Sequence, residues 1–447
     1  MMLSKKNKTN NFFVIDSIKM NHWLNARKIT THIIAKDNKN LANKIKKERN
    51  FFASPKEMIY LSKKLNITSH EITTRKKLPE FIFCSKKKIL ESKRPIYRDN
   101  IHFYNYYTLP SPQNLIAPVI LDILCPKDRI PKLNKGHLEQ AITINLGRGD
   151  IYGRWGTKLD KYNFRKIKFN KGKNSWIIGD SYLEPTYCLH SYSLSGTEKA
   201  QILSYTAKSP LQKFVNNSNL WPSSSYKNFL SMTQNLEENL HFLDIYLKNR
   251  GIDKNFLSKK LNINISNLKN IFSKKKKKIK IVKKICNILN IDHDIFLDKR
   301  FKEDPVGKNY VSYKQSIKTI RKFKSYYVAS MASSLRYPDL YGLYFKVFKN
   351  KKVLDLIDYA STHYLVTCGK INFYNKNKKI NLYNGDSLWV APYTKHGFSG
   401  NGSLIKISNG ETMDYLNMFE ISKVFRPKQT LRRIYRDLKS WGYDESI

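Results

Sequence analysis

The sequence predicts an α+β chain that is internally duplicated, with a helical block followed by a small antiparallel β barrel, the whole unit written twice. Three observations carry this prediction. Stretches with apolar residues at three and four spacing give way, twice, to short alternating apolar strands. A Gly-Asp-Ser turn with a histidine eleven residues beyond its glycine occurs at Gly179 to His190 and again at Gly385 to His396. At 447 residues the chain is too long for one ordinary domain and has room for several cores. The expected boundaries are 1–75 helical, 76–225 barrel, 226–300 helical, 301–427 barrel, and a basic C-terminal helix within 428–447.

Each element has its own signal. In the first helical block, Trp23 to Thr30 precedes a lysine-rich stretch and then Glu57 to Ile67, which ends in Leu65-Asn66-Ile67. In the second, Tyr246 to Asp253 is followed by Ile281 to Ile291, which ends in the same three residues. Phe256 to Leu261 before Asn262 to Ile265 resembles the helix-turn-helix of phage-repressor-type domains, so both blocks are expected to be repressor-like and all-helical. Ile101 to Leu124 is echoed by Phe323 to Val347. Short strands closed by Gly-Asp turns suggest two double-stranded β-helix (cupin) barrels.

Composition bounds the function. Lys and Arg number 82 against 35 Asp and Glu, a net charge of +47. Lys, Asn, Ile, Phe and Tyr are abundant everywhere, as in a chain encoded by an AT-rich genome, so the charge is read as compositional drift rather than a nucleic-acid surface. Nucleic acid is an unexpected partner; a small anionic substrate fits. The five cysteines are scattered without a Cys-x-x-Cys pair, which points to a reducing cytoplasm. Residues 1–20 are polar, unlike a signal peptide, and the apolar stretch Leu115 to Cys125 is broken by Pro118 and Asp122, so no membrane span is expected.

The chemistry concentrates between Gly136 and His190. Two histidines and a carboxylate spread over two short β-rich segments suit a mononuclear non-haem iron site with open positions for substrate and oxygen. The first segment carries His137, and Gln140 seven residues before Gly147, where many cupins place a glutamate. The second carries Gly179, Glu184, Pro185 and His190 at the usual spacing. Aligning the glycines of the two copies puts Tyr359 opposite His137, Thr362 opposite Gln140 and Val390 opposite Glu184, while His396 survives. Metal is therefore expected in the first barrel, and a structural role for the second.

These residues carry a specific resemblance. Gly136-His137-Leu138-Glu139, Asn145-Leu146-Gly147 and Gly149 to Trp155 resemble the first motif of the 2-hydroxyethylphosphonate dioxygenase and methylphosphonate synthase family. Trp176 to Tyr182 with Glu184-Pro185 and His190-Ser191-Tyr192 resembles its second. The resemblance implies that His137, Glu184 and His190 bind iron(II), with Gln140 as the alternative third ligand, since some members use a glutamine. It implies that Arg98, Tyr106 and Asn134 bind the phosphonate; a guanidinium fork with hydroxyl and amide donors suits a tetrahedral dianion. It further implies that Lys28 reaches into a neighbouring subunit's site, so a homo-oligomer is expected.

Oxygen is the implied co-substrate. The substrate supplies the electrons, so no 2-oxoglutarate, flavin or NAD is expected, and no Gly-x-Gly-x-x-Gly fingerprint is present. One family branch yields hydroxymethylphosphonate and formate, the other methylphosphonate and carbon dioxide. Methylphosphonate is the expected product, because the composition fits a streamlined marine bacterium. A transcriptional regulator sensing a metabolite is the alternative from another class; against it, the lysine run Lys274 to Lys278 follows the turn without an evident base-reading set.

Overall fold

The computed structural model describes residues 12–436 apart from 48, 75–77, 114, 137, 139, 157–163, 208–210, 234–238, 274–278, 294–308, 335–339, 359, 377 and 409–414. The fold is mixed α+β with several sheets. Two compact units are present, Met1–Pro79 with Met413–Ile447, and Glu80–Thr412.

The first unit pairs β1 (Phe13–Ile15) with β2 (Phe51–Ala53) and packs helices Ser17–Ala26, Thr31–Asp37, Lys39–Lys46 and Pro55–Leu65 around Ile15, Met20, Ile34, Leu41 and Leu61. Local chemistry fixes the last of these helices. Ser54 Oγ accepts from the Glu57 amide at 3.3 Å, and the Glu57 carboxylate accepts from the Ser54 amide at 2.7 Å. Pro55 occupies the first turn, where no N–H donor is needed. Asn66 ends the helix in the left-handed region, at φ +50°. The same cap closes helices Lys254–Leu261 and Ile279–Leu289, at Asn262 (φ +51°) and Asn290 (φ +52°). The recurring Leu-Asn-Ile is thus a helix terminator, its asparagine tolerating a conformation that most side chains resist. The C-terminal helix spans Pro427–Arg436, and residues 437–447 lie outside the described set.

The second unit holds the remaining strands. In chain order these begin with β3 (Phe81–Cys84), β4 (Arg94–Arg98), β5 (Ile101–Thr108), β6 (Val119–Ile123), β7 (Gln140–Arg148) and β8 (Ile151–Trp155). Next come β9 (Phe164–Ile167), β10 (Ser181–Glu184), β11 (His190–Leu194), β12 (Ala200–Ala207) and β13 (Tyr310–Val311). The series closes with β14 (Arg321–Phe323), β15 (Tyr326–Ser330), β16 (Tyr341–Val347), β17 (Thr362–Asn375), β18 (Lys379–Tyr383), β19 (Ser387–Val390) and β20 (His396–Ser408).

The N-terminal β half is a seven-stranded sheet in the order β13-β10-β7-β12-β6-β5-β4 and a three-stranded sheet β11-β8-β9. Their shared interior is aromatic: Phe103, Tyr104, Trp155, Tyr182 and Tyr192. The C-terminal half is an eight-stranded sheet, β14-β15-β16-β20-β17-β19-β3 with β18 paired to β17 off that path, enclosing Tyr326, Phe345, Tyr364, Phe373 and Phe398. Between the halves, Ile142, Ile144, Leu183 and Tyr205 meet Tyr344, Leu365, Ile405 and Ile407.

Two strands cross the boundaries expected from sequence. β3, placed in the first barrel, pairs with β19 of the C-terminal half, and β13, placed in the second, pairs with β10. Each crossing is anchored by a Gly-Asp turn. Asp180 accepts from the Tyr313 amide at 2.7 Å, and Asp386 from the Lys86 amide at 2.8 Å, so each turn caps a short helix that arrives with the exchanged strand. Helices Asn239–Asn249, Lys254–Leu261, Ile265–Ser273 and Ile279–Leu289 share a separate core of Leu243, Leu257, Leu268 and Ile285. The lysine run 274–278 lies outside the described residues.

Candidate metal centre

Register decides which side chains can meet. β10 runs antiparallel to β7, with Glu184 opposite Ala141 and Tyr182 opposite Thr143. Paired residues share a face, so Glu184, Tyr182, Ala141 and Thr143 look into the N-terminal half. Gln140, one residue from Ala141, lies on the opposite face with Ile142 and Ile144, which pack toward the C-terminal half. The structure therefore brings Glu184 to the candidate centre and turns Gln140 away from it.

His190 opens β11 opposite Trp155 of β8. Its Nδ1 lies 2.9 Å from the Cys188 carbonyl. A carbonyl only accepts, so Nδ1 carries the proton and Nε2 keeps its lone pair for a metal. Asn134 orients the same ring. Its amide nitrogen is 2.8 Å from His190 Nε2, its Oδ1 accepts from the His190 amide at 3.2 Å, and its own N–H donates to the His190 carbonyl at 3.0 Å. Oδ1 also accepts from Gly136 N at 2.9 Å. Gly136, at φ +70°, passes so close to Tyr187 that a Cβ there would lie 2.6 Å from its carbonyl carbon. A glycine is thus required at 136; His137 lies outside the described residues.

Glu184 is 2 % exposed. Its Oε2 stands 3.7 Å from His190 Nε2. Its Oε1 accepts from the indole N–H of Trp155 at 3.1 Å and from the Tyr192 hydroxyl. Burial pushes the Tyr192 phenol well above its ordinary value, and the Glu184 charge adds to the effect, so it stays a donor.

Arg98 and Tyr106, two of the residues that the resemblance assigns to the phosphonate, stand on the paired strands β4 and β5. Arg98 ends β4 before a tight turn whose Asp99 and Asn100 both have positive φ. Its guanidinium donates to the Lys132 carbonyl at 2.7 Å and lies 5.3 Å and 5.6 Å from the ring centres of Phe103 and Tyr104. Tyr106 packs edge-on to Tyr104 at 6.1 Å. Burial raises its hydroxyl pKa; Arg98 opposes the rise and Glu184 reinforces it, placing Tyr106 in the fields of both. Lys28 belongs to the first unit, after helix Ser17–Ala26, in the left-handed region at φ +56°.

Trp155 and Tyr192 lie within the motifs that carry the family resemblance, but the sequence assigned neither a role of its own. Their signal was parity: Tyr192 is two residues beyond His190 and shares its strand face.

The corresponding place in the C-terminal half is filled by protein. Lys406 forms an ion pair with Asp358, whose carboxylate lies 3.1 Å from the Tyr364 hydroxyl; that hydroxyl is 2.7 Å from His396 Nε2. His396 Nδ1 donates to the Thr394 carbonyl at 2.8 Å, as His190 does two residues back. Burial works against the Asp358 charge, but Lys406 beside it holds the carboxyl below its usual range. Val390 pairs with Thr362, so Thr362 corresponds to Ala141 and not to Gln140. The glycine-based alignment is one residue out at this strand, because Gly147 and Gly369 sit differently beyond the bulges at 146 and 367. Tyr359 lies outside the described residues.

Among the described residues no group of three His, Cys, Asp or Glu side chains converges on one point. The donors that are described fit a divalent metal: an imidazole with its remote nitrogen committed, and a buried carboxylate with one oxygen facing it.

A family profile for the 2-hydroxyethylphosphonate dioxygenase cupin-like domain matches residues 90–207. The 2-hydroxyethylphosphonate dioxygenase of Streptomyces viridochromogenes is 35% identical over 441 residues, covering 96% of this chain and 99% of that protein. The chain belongs to the 2-hydroxyethylphosphonate dioxygenase family. It is accordingly an enzyme, a dioxygenase of phosphonate metabolism with a cupin domain. The methylphosphonate synthase of Nitrosopumilus maritimus is 24% identical over 392 residues, 80% of each chain. A solved structure of PhpD with cadmium and hydroethylphosphonate aligns with TM-score 0.80 at 33% identity, covering 94% of this chain and 99% of that one. Among the described residues no helix is long and apolar enough to cross a membrane.

Proposed function

We propose that the chain cleaves the C–C bond of 2-hydroxyethylphosphonate with molecular oxygen at an iron(II) site formed by His137, Glu184 and His190. The observation that carries this reading is Glu184 Oε2 facing His190 Nε2 across 3.7 Å inside the N-terminal half. Iron(II) held there would supply oxygen activation, with open positions for two substrate oxygens and for oxygen.

The protein groups do the rest. Arg98, Tyr106 and Asn134 bind the phosphonate as donors, and the Asn134 amide, which now rests on His190 Nε2, is the group that turns to the ligand. The aromatic interior of Trp155, Tyr182 and Tyr192 excludes water. One substrate and one oxygen molecule balance either outcome: hydroxymethylphosphonate plus formate, or methylphosphonate plus carbon dioxide and water. Neither needs an outside reductant, so 2-oxoglutarate, flavin and NAD have no part in the proposal.

Hydroxymethylphosphonate and formate are the products this site favours. The dioxygenase relative is the more similar of the two described, and a carboxylate is presented where a glutamine from Gln140 would have to come from the wrong strand face. Methylphosphonate, expected from composition, is the alternative product. Composition reflects the genome rather than the pocket. The deciding experiment is anaerobic loading with iron(II), addition of 2-hydroxyethylphosphonate and then air, with phosphorus NMR of the products. No turnover, with duplex DNA bound tightly at physiological salt, would instead favour the regulator.

The finer architecture belongs to the same proposal. The tandem arrangement is an internal duplication, supported by matched details: the Tyr104 hydroxyl accepts from the Tyr192 amide at 2.9 Å, and the Tyr326 hydroxyl from the Phe398 amide at 3.0 Å. The helical blocks serve packing and self-association, with Lys28 lent to a neighbouring copy in a homo-oligomer.

A further inference from the structure

We propose that Trp155 and Tyr192 are positioning residues that occupy Oε1 of Glu184, so that this carboxylate can offer a metal Oε2 alone. The inference rests on the iron reading above and deepens it. Three side chains define the arrangement. The Trp155 indole N–H reaches Oε1 at 3.1 Å, the Tyr192 hydroxyl donates to the same atom, and among the described residues no such donor reaches Oε2, which faces His190 Nε2.

An sp² carboxylate oxygen has two acceptor directions, and two donors fill both. Indole N–H is a donor only, and a phenol donating to a carboxylate cannot turn without leaving a buried charge unsatisfied. The strand pattern holds both groups in place. Trp155 pairs with His190, and Tyr192 follows His190 on the same face, so one strand pair carries the imidazole and both donors. The rings are wedged together, with centroids 6.2 Å apart for Trp155 and Tyr192 and 5.1 Å for Trp155 and Tyr182.

The consequence is a count of coordination positions. Two imidazoles and one carboxylate oxygen leave three positions of an octahedral ion, enough for two substrate oxygens and oxygen together. A carboxylate binding through both oxygens would leave two. Trp155 and Tyr192 thereby decide how much of the metal the substrate can reach.

The test uses the full chain loaded with cobalt(II), whose visible spectrum reports its ligand field, in the wild type and in Tyr192→Phe, Trp155→Phe and the double variant. Both single changes keep an aromatic ring, and thermal melting shows whether each variant is folded. The expected result is a folded protein that binds cobalt(II) with a shifted visible spectrum, a blunted spectral change on adding 2-hydroxyethylphosphonate, and substrate binding looser on the order of ten-fold. On iron-loaded protein, KM rises more than kcat falls. An unchanged cobalt spectrum and substrate affinity in the double variant would overturn the proposal. So would a loss of cobalt binding in step with melting temperature, which is what a packing role predicts. Failure of the wild type to bind cobalt(II) would instead overturn the iron reading itself.

Discussion

Asn134 and His190 are tied by three hydrogen bonds: main-chain N–H to carbonyl, side-chain oxygen to main-chain N–H, and side-chain nitrogen to ring Nε2. The ring's orientation is thus fixed by protein groups, with its other nitrogen on the Cys188 carbonyl. Asn134→Ala removes the ring's orienting partner and a proposed phosphonate donor. We expect metal affinity to fall on the order of 10- to 100-fold, read by chelator competition, with the fold retained by circular dichroism.

His190→Ala deletes the donor outright. Product formation should fall to background in the phosphorus NMR assay, and bound iron should drop below stoichiometric. Gln140→Ala, on the opposite face of β7, should leave iron stoichiometry intact. Loss of iron in that variant would return Gln140 to the ligand set.

The C-terminal half grips the strand that carries Glu184. Tyr344 donates to the Gly179 carbonyl at 2.5 Å, the Ala332 amide to Ser181 Oγ at 2.9 Å, and Leu183 N to the Asn309 carbonyl at 3.1 Å. Tyr344→Phe strips one buried partner and should cost about 1–3 kcal/mol in urea unfolding. Because β10 also bears Glu184, iron occupancy should fall in the same variant although Tyr344 lies outside the site.

In the C-terminal half, buried Lys406 is ion-paired with Asp358, whose side chain is 12 % exposed. Lys406→Met alone strands the carboxylate and should destabilise by about 3–5 kcal/mol. Adding Asp358→Leu should recover most of that loss, since the pair replaced together leaves no uncompensated charge. Chemical denaturation of the single and double variants reads both.

His363 is buried between the halves, edge-on to Tyr205 at 4.7 Å, and burial lowers its pKa to about 3. A histidine held neutral in the fold binds a proton on unfolding once the pH is below about 6.5. Stability should therefore be full above that pH and fall as pH drops toward 3, by about 2 kcal/mol between pH 6.5 and 5. His396, also lowered by burial, contributes with the same sign. His363→Leu should flatten the slope of unfolding free energy against pH by nearly one proton's worth.

Local chemistry was legible in the sequence. The Leu-Asn-Ile helix ends, the Gly-Asp turns, the histidine spacing and the family motifs are patterns within a few residues, set by backbone sterics and hydrogen bonds that do not depend on distant chain. What the sequence by itself determined is therefore a mixed α+β member of an iron oxygenase family, with the segment from Gly136 to His190 as its candidate metal site. Tertiary structure decided the rest. Gln140 and Ala141 differ by one residue, and only the pairing of Ala141 with Glu184 tells which side chain enters the site. A strand's two faces alternate residue by residue, so facing is undefined until register is known. The exchange of β3 and β13, the Lys406–Asp358 pair and the hold of Trp155 and Tyr192 on Glu184 all join residues far apart in sequence, and their partners are chosen by how strands align rather than by neighbours along the chain.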